Sequence, residues 1–272
     1  MMAKQVGHMA EPKLWCITSG KGGVGKTCLA VNLALALAYQ EKRVLLVDGD
    51  LGLANVDVLL GLEVQANVRD ILDQGADPLE TVVTVRPGLG VLLASSGVPE
   101  MANLGPDDQA LLGVVLSQVA APFDHVLVDT AAGLGPAVLW FNTLAHHSLV
   151  VVTPDPTALT DAYALIKVLA QHYQRRHFLV VLNNVQSERE ARQTFATLSQ
   201  AAARFLELQL DYLGSVPADP AVKRALRSQA PFLEQSPQCR ASQGLKAIAA
   251  RMLRLSPKWQ PVKTPNPQVH AM

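Results

Sequence analysis

The chain has 272 residues, 49% of them hydrophobic and 17% charged, and its formal net charge is zero. This length and apolar fraction predict one large α/β domain with a well-buried core. A neutral chain gives no electrostatic indication of a nucleic-acid partner. Its cysteines, Cys16, Cys28 and Cys239, form neither a Cys-x-x-Cys pair nor a metal-ligand spacing, which fits a reducing compartment. With no signal peptide and no apolar run of roughly 20 residues, the sequence predicts a cytoplasmic protein.

A glycine-rich loop lies between the first predicted strand, at 14–17, and a Leu- and Ala-rich stretch at 28–40 that predicts a buried helix. Residues 20–27 match G-x-x-x-x-G-K-[ST], the P-loop. The glycines of such a loop and the helix N-terminus present N–H groups to phosphate. Lys26 is therefore predicted to bind the β- and γ-phosphates, and the Thr27 hydroxyl to bind Mg²⁺.

The same glycines permit a second interpretation. Gly20, Gly22 and Gly25 also fit the dinucleotide fingerprint G-x-G-x-x-G, and Asp48 follows at the distance of an acid that binds a ribose. A Lys-Thr pair after the last glycine, however, has a role beside a Mg-triphosphate and none beside a dinucleotide pyrophosphate. A second acid-tipped apolar run, ending at Asp129, supplies a Walker B carboxylate. These two observations favour the P-loop.

Acidic residues follow the second predicted strand, at 44–47. Asp48 and Asp50 at a strand end beside a phosphate loop can hold Mg²⁺ or orient an attacking water. Turn chemistry alone is the alternative, since Asp and Gly favour turns. The P-loop makes the functional interpretation the stronger one.

Strands and helices alternate along the rest of the chain, which predicts a mostly parallel sheet with helices on both faces and a ligand site at the carboxyl edge. A switch loop that senses hydrolysis is predicted after Asp129, where Gly133 lets the backbone approach a γ-phosphate. The further strands are predicted at 88–94, 123–128, 149–152, 178–182 and 213–216, and the helices at 107–120, from 136, at 158–172 and 188–206, and from 242.

The loop contains a second lysine, Lys21, and in this it resembles the deviant Walker A motif of the MinD/ParA ATPases. Within that family, residues 48–61, 156–167 and 212–217 resemble the flagellar-number regulators of the FleN/FlhG type. The resemblance spans about residues 14–255 and implies a P-loop NTPase fold.

The resemblance implies a slow, Mg-dependent ATPase that forms an ATP-dependent homodimer, with Lys21 reaching the partner's phosphates as an arginine finger does. Asp50 corresponds to the aspartate that orients water, Asp129 to the Walker B acid, and Asn183 to a residue that reads adenine. The predicted site comprises the catalytic residues Lys21, Lys26, Asp50 and Asp129; the metal ligands Thr27, Asp50 and Asp129; and the residues that bind ATP, namely Gly20, Lys21, Gly22, Gly23, Val24, Gly25, Lys26, Thr27, Cys28, Asn183, Pro217 and Asp219.

The sequence departs from the family pattern at two places. Thr130 and Ala131 follow Asp129 where a proline is usual, which is expected to loosen the switch loop. Cys28 replaces a Ser or Thr; a thiol is a weak donor, so we expect a poorer α-phosphate contact. A thiol beside the P-loop could serve as an oxidation site, but a small buried cysteine is the simpler interpretation.

The resemblance implies as partners an FlhF-type GTPase and a flagellar transcription activator, with no sequence-specific nucleic acid. Iron–sulfur carriers are disfavoured by the missing Cys-x-x-Cys. Two alternatives remain open: a positioning or partition ATPase that acts on membrane or nucleoid DNA, and a binding module that hydrolyses ATP weakly. The N-terminal arm shows no motif for activating a GTPase.

The C-terminal part has no acidic residue after Glu234. The basic amphipathic helix predicted from Ser242 has two interpretations. It attaches the protein to the inner membrane face or the cell pole, or it is the last helix of the core; Pro257, which ends the helix early, favours the core helix. Arg175 and Arg176 are expected at a solvated helix end. The predicted divisions are a flexible arm at 1–12, an ATPase domain at 13–256 and a disordered Pro-rich tail at 257–272.

Overall fold

The computed structural model describes residues 11–52, 55–63, 68, 70–71, 77–94 and 105–256, so the predicted tail and most of the predicted arm lie outside it. Eight strands form one sheet in the order β3-β4-β2-β5-β1-β6-β7-β8. The strands are β1 (Lys13–Ser19), β2 (Val44–Gly49), β3 (Val83–Arg86), β4 (Leu89–Leu92), β5 (His125–Ala132), β6 (His147–Val152), β7 (Phe178–Val185) and β8 (Leu210–Pro217).

The helices of the described residues lie on both faces of this sheet. Every strand pair is parallel except β3 with β4, which confirms the predicted mostly parallel α/β fold. The helices are α1 (Lys26–Ala38), α2 (Val56–Leu60), α3 (Pro106–Ala120), α4 (Pro136–Leu144), α5 (Pro156–His172), α6 (Glu188–Leu206), α7 (Pro220–Arg227), α8 (Phe232–Gln235) and α9 (Arg240–Arg254).

The predicted boundaries at the carboxyl edge were too short. β5 continues to Ala132, because Asp48 of β2 pairs with Asp129 and Gly49 with Thr130 after the apolar run has ended. β7 likewise continues to Val185, so that Asn183 lies within the strand. Apolar periodicity marks where side chains enter the core, whereas backbone pairing extends through polar residues as long as the neighbouring strand continues.

Helix α1 is buried on all sides from Leu29 to Ala38, as predicted. Helices α8 and α9 pack against its outer side. Its one buried amide, Asn32, donates to the Cys28 carbonyl (2.7 Å) and accepts from the Leu233 N–H (2.9 Å), so the polar group is satisfied inside the core. The P-loop is therefore followed directly by α1, the most fully buried helix among the described residues.

Helix α9 is a core helix, which settles the choice between the two interpretations of its amphipathic pattern. Its apolar face, including Leu245, Ile248 and Met252, is buried against β8 and α1. The Arg251 guanidinium donates to the Leu213 carbonyl (2.7 Å). An apolar face that is already buried in the core is not available to a lipid surface.

Arg175 was wrongly predicted to be solvated. Its side chain is buried and donates to the carbonyls of Ala145 (2.6 Å) and Asn142 (3.2 Å). Both acceptors lie at the carboxyl end of α4, where the last carbonyls of a helix lack partners within the helix. Arg176 is exposed and donates to the Glu207 carbonyl, as a solvated arginine would.

His125 makes stability depend on pH. It is buried at the start of β5, where its Nδ1 accepts from Trp15 Nε1 (3.2 Å). Burial lowers the pKa of His125 from 6.5 to about 4. The unfolded chain therefore binds this proton at higher pH than the folded chain, and the folded state loses stability as the pH falls from 6.5 towards 4.

Between pH 7 and pH 5 the free energy of unfolding is expected to fall by about 2 kcal/mol more in the wild type than in His125→Gln, which lacks the titrating ring. Urea unfolding of both proteins at both pH values measures this difference. Other titrating groups, such as Asp48, are common to the two proteins and cancel. Equal pH dependence in both proteins would contradict the assignment.

Candidate functional site

The P-loop adopts a conformation that only glycine permits at two of its positions. Gly25, which precedes α1, has φ 83°, and Gly23 has φ 77°. Close packing adds a further constraint: a Cβ at Gly20 would lie 2.1 Å from the Asp161 carbonyl oxygen, and one at Gly25 would lie 2.5 Å from Asn183 Nδ2. The loop is thus seated between α5 and the end of β7.

A cavity of about 700 Å³ lies beside this loop, between α1 and the segments that follow β7 and β8. It brings together P-loop residues with the predicted base-reading residues, although these are far apart in sequence. Members of the predicted site that line it are Gly23, Val24, Gly25, Cys28, Asn183, Pro217 and Asp219.

Helices α7 and α8 provide a wall of this cavity that was not among the predicted site residues. Val222, Lys223 and Leu226 come from α7, and Phe232 comes from α8. The sequence nonetheless contains a signal for the start of α7, because Asp219 is followed by Pro220, and an aspartate before a proline is typical of a helix N-cap and first turn. Asp219 is that N-cap, and its side chain accepts from the Ala221 N–H.

Asn183 contacts the P-loop directly. Its Nδ2 donates to the Val24 carbonyl oxygen (2.7 Å). The amide nitrogen is therefore used to hold the loop, and its oxygen is the group suited to accept a hydrogen bond from a ligand. This arrangement links the conformation of the loop to the strand that forms the opposite side of the cavity.

Lys26 and Asp129 form a buried ion pair at the inner end of the loop. Lys26 Nζ lies 2.8 Å from Asp129 Oδ1, and the two side chains are 8% and 1% exposed. Burial raises the pKa of Asp129, and the ammonium of Lys26 and the hydroxyl of Thr27 oppose that rise. The charges of the predicted phosphate ligand, Lys26, and of the predicted metal ligand, Asp129, thus neutralise each other.

Two further carboxylates lie near this pair. Asp48 accepts from the N–H groups of Asp50 (3.0 Å), Asn55 (3.1 Å) and Val56 (3.2 Å), and so fixes the loop that contains Asp50. Burial, followed by the charge of Asp129, raises the pKa of Asp48 to about 7. The charge of Asp50 also contributes to the raised pKa of Asp129. A divalent cation would relieve this repulsion.

These donors suit Mg²⁺, which keeps several waters and binds through one or two carboxylates, a hydroxyl and substrate phosphates. No group of three or more His, Cys, Asp and Glu side chains is arranged as a metal cage within the described ranges.

Lys21 is partly exposed, in contrast to the buried Lys26. Its ammonium contacts the Thr157 hydroxyl and lies 3.6 Å from Asp155 Oδ1, with 39% of the lysine side chain exposed. Asp155 caps α5 by accepting from the N–H groups of Thr157 and Ala158, and it also accepts from the Thr157 hydroxyl. The hydroxyl bond contributes most, and together the three hydrogen bonds lower the pKa of Asp155 to about 2. The two P-loop lysines therefore have different partners.

Cys28 is half-buried in α1 at the cavity wall. Burial raises the pKa of its thiol to about 12, followed in effect by the charge of Asp129. A thiol that stays protonated is a poor nucleophile. The structure therefore favours the interpretation of Cys28 as a small, partly buried packing residue over a reactive one.

Comparison with known proteins identifies the family to which this cavity and loop belong. The ParA family model, described as the NUBPL iron-transfer P-loop NTPase, matches residues 12–253. The chain belongs to the ParA family of P-loop ATPases. The predicted MinD/ParA resemblance is thus confirmed, and the dinucleotide interpretation is set aside. Because the chain has no Cys-x-x-Cys, the iron-transfer part of the description is not extended to this ParA-family ATPase.

Two relatives of this ParA-family ATPase match it over most of its length, and the name of one of them refers to the flagellum. The antiactivator FleN of Pseudomonas aeruginosa is 42% identical over 250 residues, which cover 92% of this chain and 89% of FleN. The flagellum site-determining protein YlxH of Helicobacter pylori is 32% identical over 247 residues, covering 90% of this chain and 83% of YlxH. The predicted FleN/FlhG resemblance is therefore confirmed as well.

A solved structure of the septum site-determining protein MinD from Pyrococcus horikoshii, complexed with Mg-ADP, superimposes with a TM-score of 0.73. It is 25% identical, and the match covers 89% of this chain and 96% of MinD. This agreement confirms the MinD-like fold of the ParA-family ATPase. Among its described helices, none is long and apolar enough to span a bilayer.

Proposed function

We propose that the chain is a Mg-dependent ATPase switch that dimerises on ATP binding and regulates flagellar number or placement through protein partners. The ATPase family membership and the relatives FleN and YlxH support this proposal. The corresponding domain is residues 13–256, with an N-terminal arm before it and a Pro-rich tail after it.

The proposed nucleotide position follows from the two ends of the cavity. The P-loop N–H groups and Lys26 bind the β- and γ-phosphates at the α1 end, and Thr27 and Asp129 bind Mg²⁺ there. Bound Mg²⁺ neutralises phosphate charge. Asn183 and the loop from Pro217 to Asp219 contact the base at the other end. When the nucleotide binds, the ion pair between Lys26 and Asp129 opens. Lys26 then contacts phosphate, and Asp129 contacts Mg²⁺.

The observation that supports the switch most directly is the position of Lys21. It lies at the surface, held by Thr157 and Asp155, whereas Lys26 is buried and paired with Asp129 within the same loop region. A surface cation beside a phosphate site is placed to reach the nucleotide of a second copy, which makes hydrolysis depend on assembly. Asp50 orients the attacking water in this proposal.

Asp155 competes with that role, because it holds Lys21 within its own chain. We expect Asp155→Asn to lower the ATP concentration that half-saturates dimerisation about threefold, a small effect because an exposed ion pair is weak. Asparagine keeps a side-chain oxygen for the α5 cap and removes only the charge. Light scattering across an ATP titration measures the shift, and Thr160→Ala, on the same helix, serves as the control. An unchanged or higher midpoint in Asp155→Asn would contradict the competition.

As partners we propose an FlhF-type GTPase and a flagellar transcription activator; the name antiactivator, given to FleN, supports the second. The test is a count of flagella by electron microscopy in cells that lack the gene, complemented with wild type or Lys26→Ala. Abnormal number or placement, restored by wild type only, would support the flagellar role. Normal flagella in the deletion strain would contradict it and favour a MinD/ParA-like positioning ATPase instead.

A further inference from the structure

The carboxylate of Asp219 caps two helices at once. Its Oδ1 accepts from the Ala221 N–H (2.9 Å) in the first turn of α7. Its Oδ2 accepts from the Ala241 N–H (3.3 Å) in the first turn of α9, 22 residues further along the chain. The predicted site treated Asp219 only as part of a loop around the base, and sequence alone gave no indication of the contact with α9.

Both contacts favour the ionised carboxylate. A helix N-terminus has unpaired N–H groups and a partial positive charge, and an aspartate at that position satisfies a donor and is stabilised by the charge. The Ala221 N–H lowers the pKa of Asp219 most, and the Ala241 and Arg240 N–H groups and the Cys239 thiol lower it further. At neutral pH one negative charge therefore joins the starts of α7 and α9.

The joined elements form the base end of the cavity. Helix α7 contributes Val222 and Leu226 to the wall, and Leu226 is 41% exposed there, an apolar surface that a planar base would cover. The preceding loop is held to β7, because the Ala218 N–H donates to the Val185 carbonyl (2.8 Å). Asp219 thus fixes the orientation of α7 relative to the loop.

Helix α9 holds the same loop from the other side. A Cβ at Gly244 would lie 2.7 Å from the Ser215 carbonyl oxygen and 3.0 Å from Pro217 Cδ, so the helix packs directly on the end of β8. A shift of the α9 N-terminus would move both Pro217 and the carboxylate that caps α7. The phosphate end, in contrast, depends on the P-loop and the Lys26–Asp129 pair.

We propose that Asp219 is a positioning residue that sets recognition of the base and couples occupancy of the base end to the seating of α9. The inference rests on the proposed nucleotide function of this cavity. It predicts that loss of the carboxylate weakens binding of a ligand that has a base and leaves binding of the phosphate chain unchanged.

The test compares the affinities of ATP and of inorganic tripolyphosphate, which lacks a base, by calorimetry with Mg²⁺ on the full-length chain. Loss of two helix caps in Asp219→Ala is expected to weaken ATP binding about tenfold and to change tripolyphosphate binding less than about twofold. Asp219→Asn, with one carboxylate oxygen replaced by an amide nitrogen, should fall between. Ser187→Ala, which removes the N-cap of α6, is the matched control and should leave both affinities unchanged.

Hydrogen exchange supplies the second readout. In the wild type, ATP but not tripolyphosphate should slow exchange of the amides at 241–243, and this protection should disappear in Asp219→Ala. Unchanged ATP affinity in Asp219→Ala, or an equal loss for both ligands, would overturn the positioning role while the wild type still binds ATP. Failure of the wild type to bind ATP would instead overturn the proposed function, and this inference with it.

Discussion

Lys26→Ala is expected to abolish measurable ATP binding. A charge-assisted hydrogen bond to phosphate contributes roughly 3 kcal/mol, so its loss lowers the affinity about a hundredfold. The same change leaves Asp129 without its cation in a site where the carboxylate is 1% exposed. Breaking such a pair costs roughly 3 kcal/mol or more, and a proton taken up by Asp129 reduces that cost.

The two effects of Lys26→Ala can be separated by a second variant. The double substitution Lys26→Met and Asp129→Asn keeps the volume of the pair and removes both charges, so it should recover stability in urea unfolding without recovering ATP binding. Equilibrium binding of labelled ATP measures the affinity of each protein. ATP affinity within tenfold of the wild type in Lys26→Ala would contradict the phosphate role of Lys26.

Asp50→Ala is expected to retain ATP, to stop hydrolysis and to accumulate the dimer. A carboxylate that orients or deprotonates the attacking water contributes about 10²- to 10⁴-fold to the rate, so phosphate release should fall at least about a hundredfold. Asp50 follows β2 in the loop that Asp48 holds through three backbone N–H groups, so alanine leaves that loop its anchors.

The control for Asp50→Ala is Asp107→Asn, an exposed carboxylate in the first turn of α3. It should hydrolyse ATP at the wild-type rate. Phosphate release under saturating ATP, together with ATP affinity, distinguishes loss of chemistry from loss of binding. Normal turnover in Asp50→Ala would remove Asp50 from the mechanism, and loss of ATP binding would reassign it to the nucleotide site.

The sequence was sufficient for the features that local pattern determines. The strand, P-loop and helix that contain Lys26 follow each other directly, and an apolar run marks the strand that ends in Asp129. Parallel pairing then brings Asp48 and Asp129 side by side. These features depend on short-range order and on the rule that ligands bind at the carboxyl edge of such sheets.

The remaining features depend on contacts between distant segments. Lys21 contacts Thr157, 136 residues away in the sequence, and Arg175 contacts Ala145, 30 residues away. The periodicity of apolar residues does not predict contacts between such distant positions. β3 was missed for another reason: it is a four-residue, half-exposed edge strand, too short for apolar alternation to distinguish it from a loop.

The most direct test of the ATP-dependent switch is the mass in solution of wild type and Lys21→Ala, measured by light scattering with ADP, ATP and a non-hydrolysable ATP analogue. We predict the 29.1 kDa monomer with ADP and a particle of twice that mass with either triphosphate, lost in Lys21→Ala. A wild type that stays monomeric with every nucleotide, or a Lys21→Ala variant that dimerises as the wild type does, would contradict the switch.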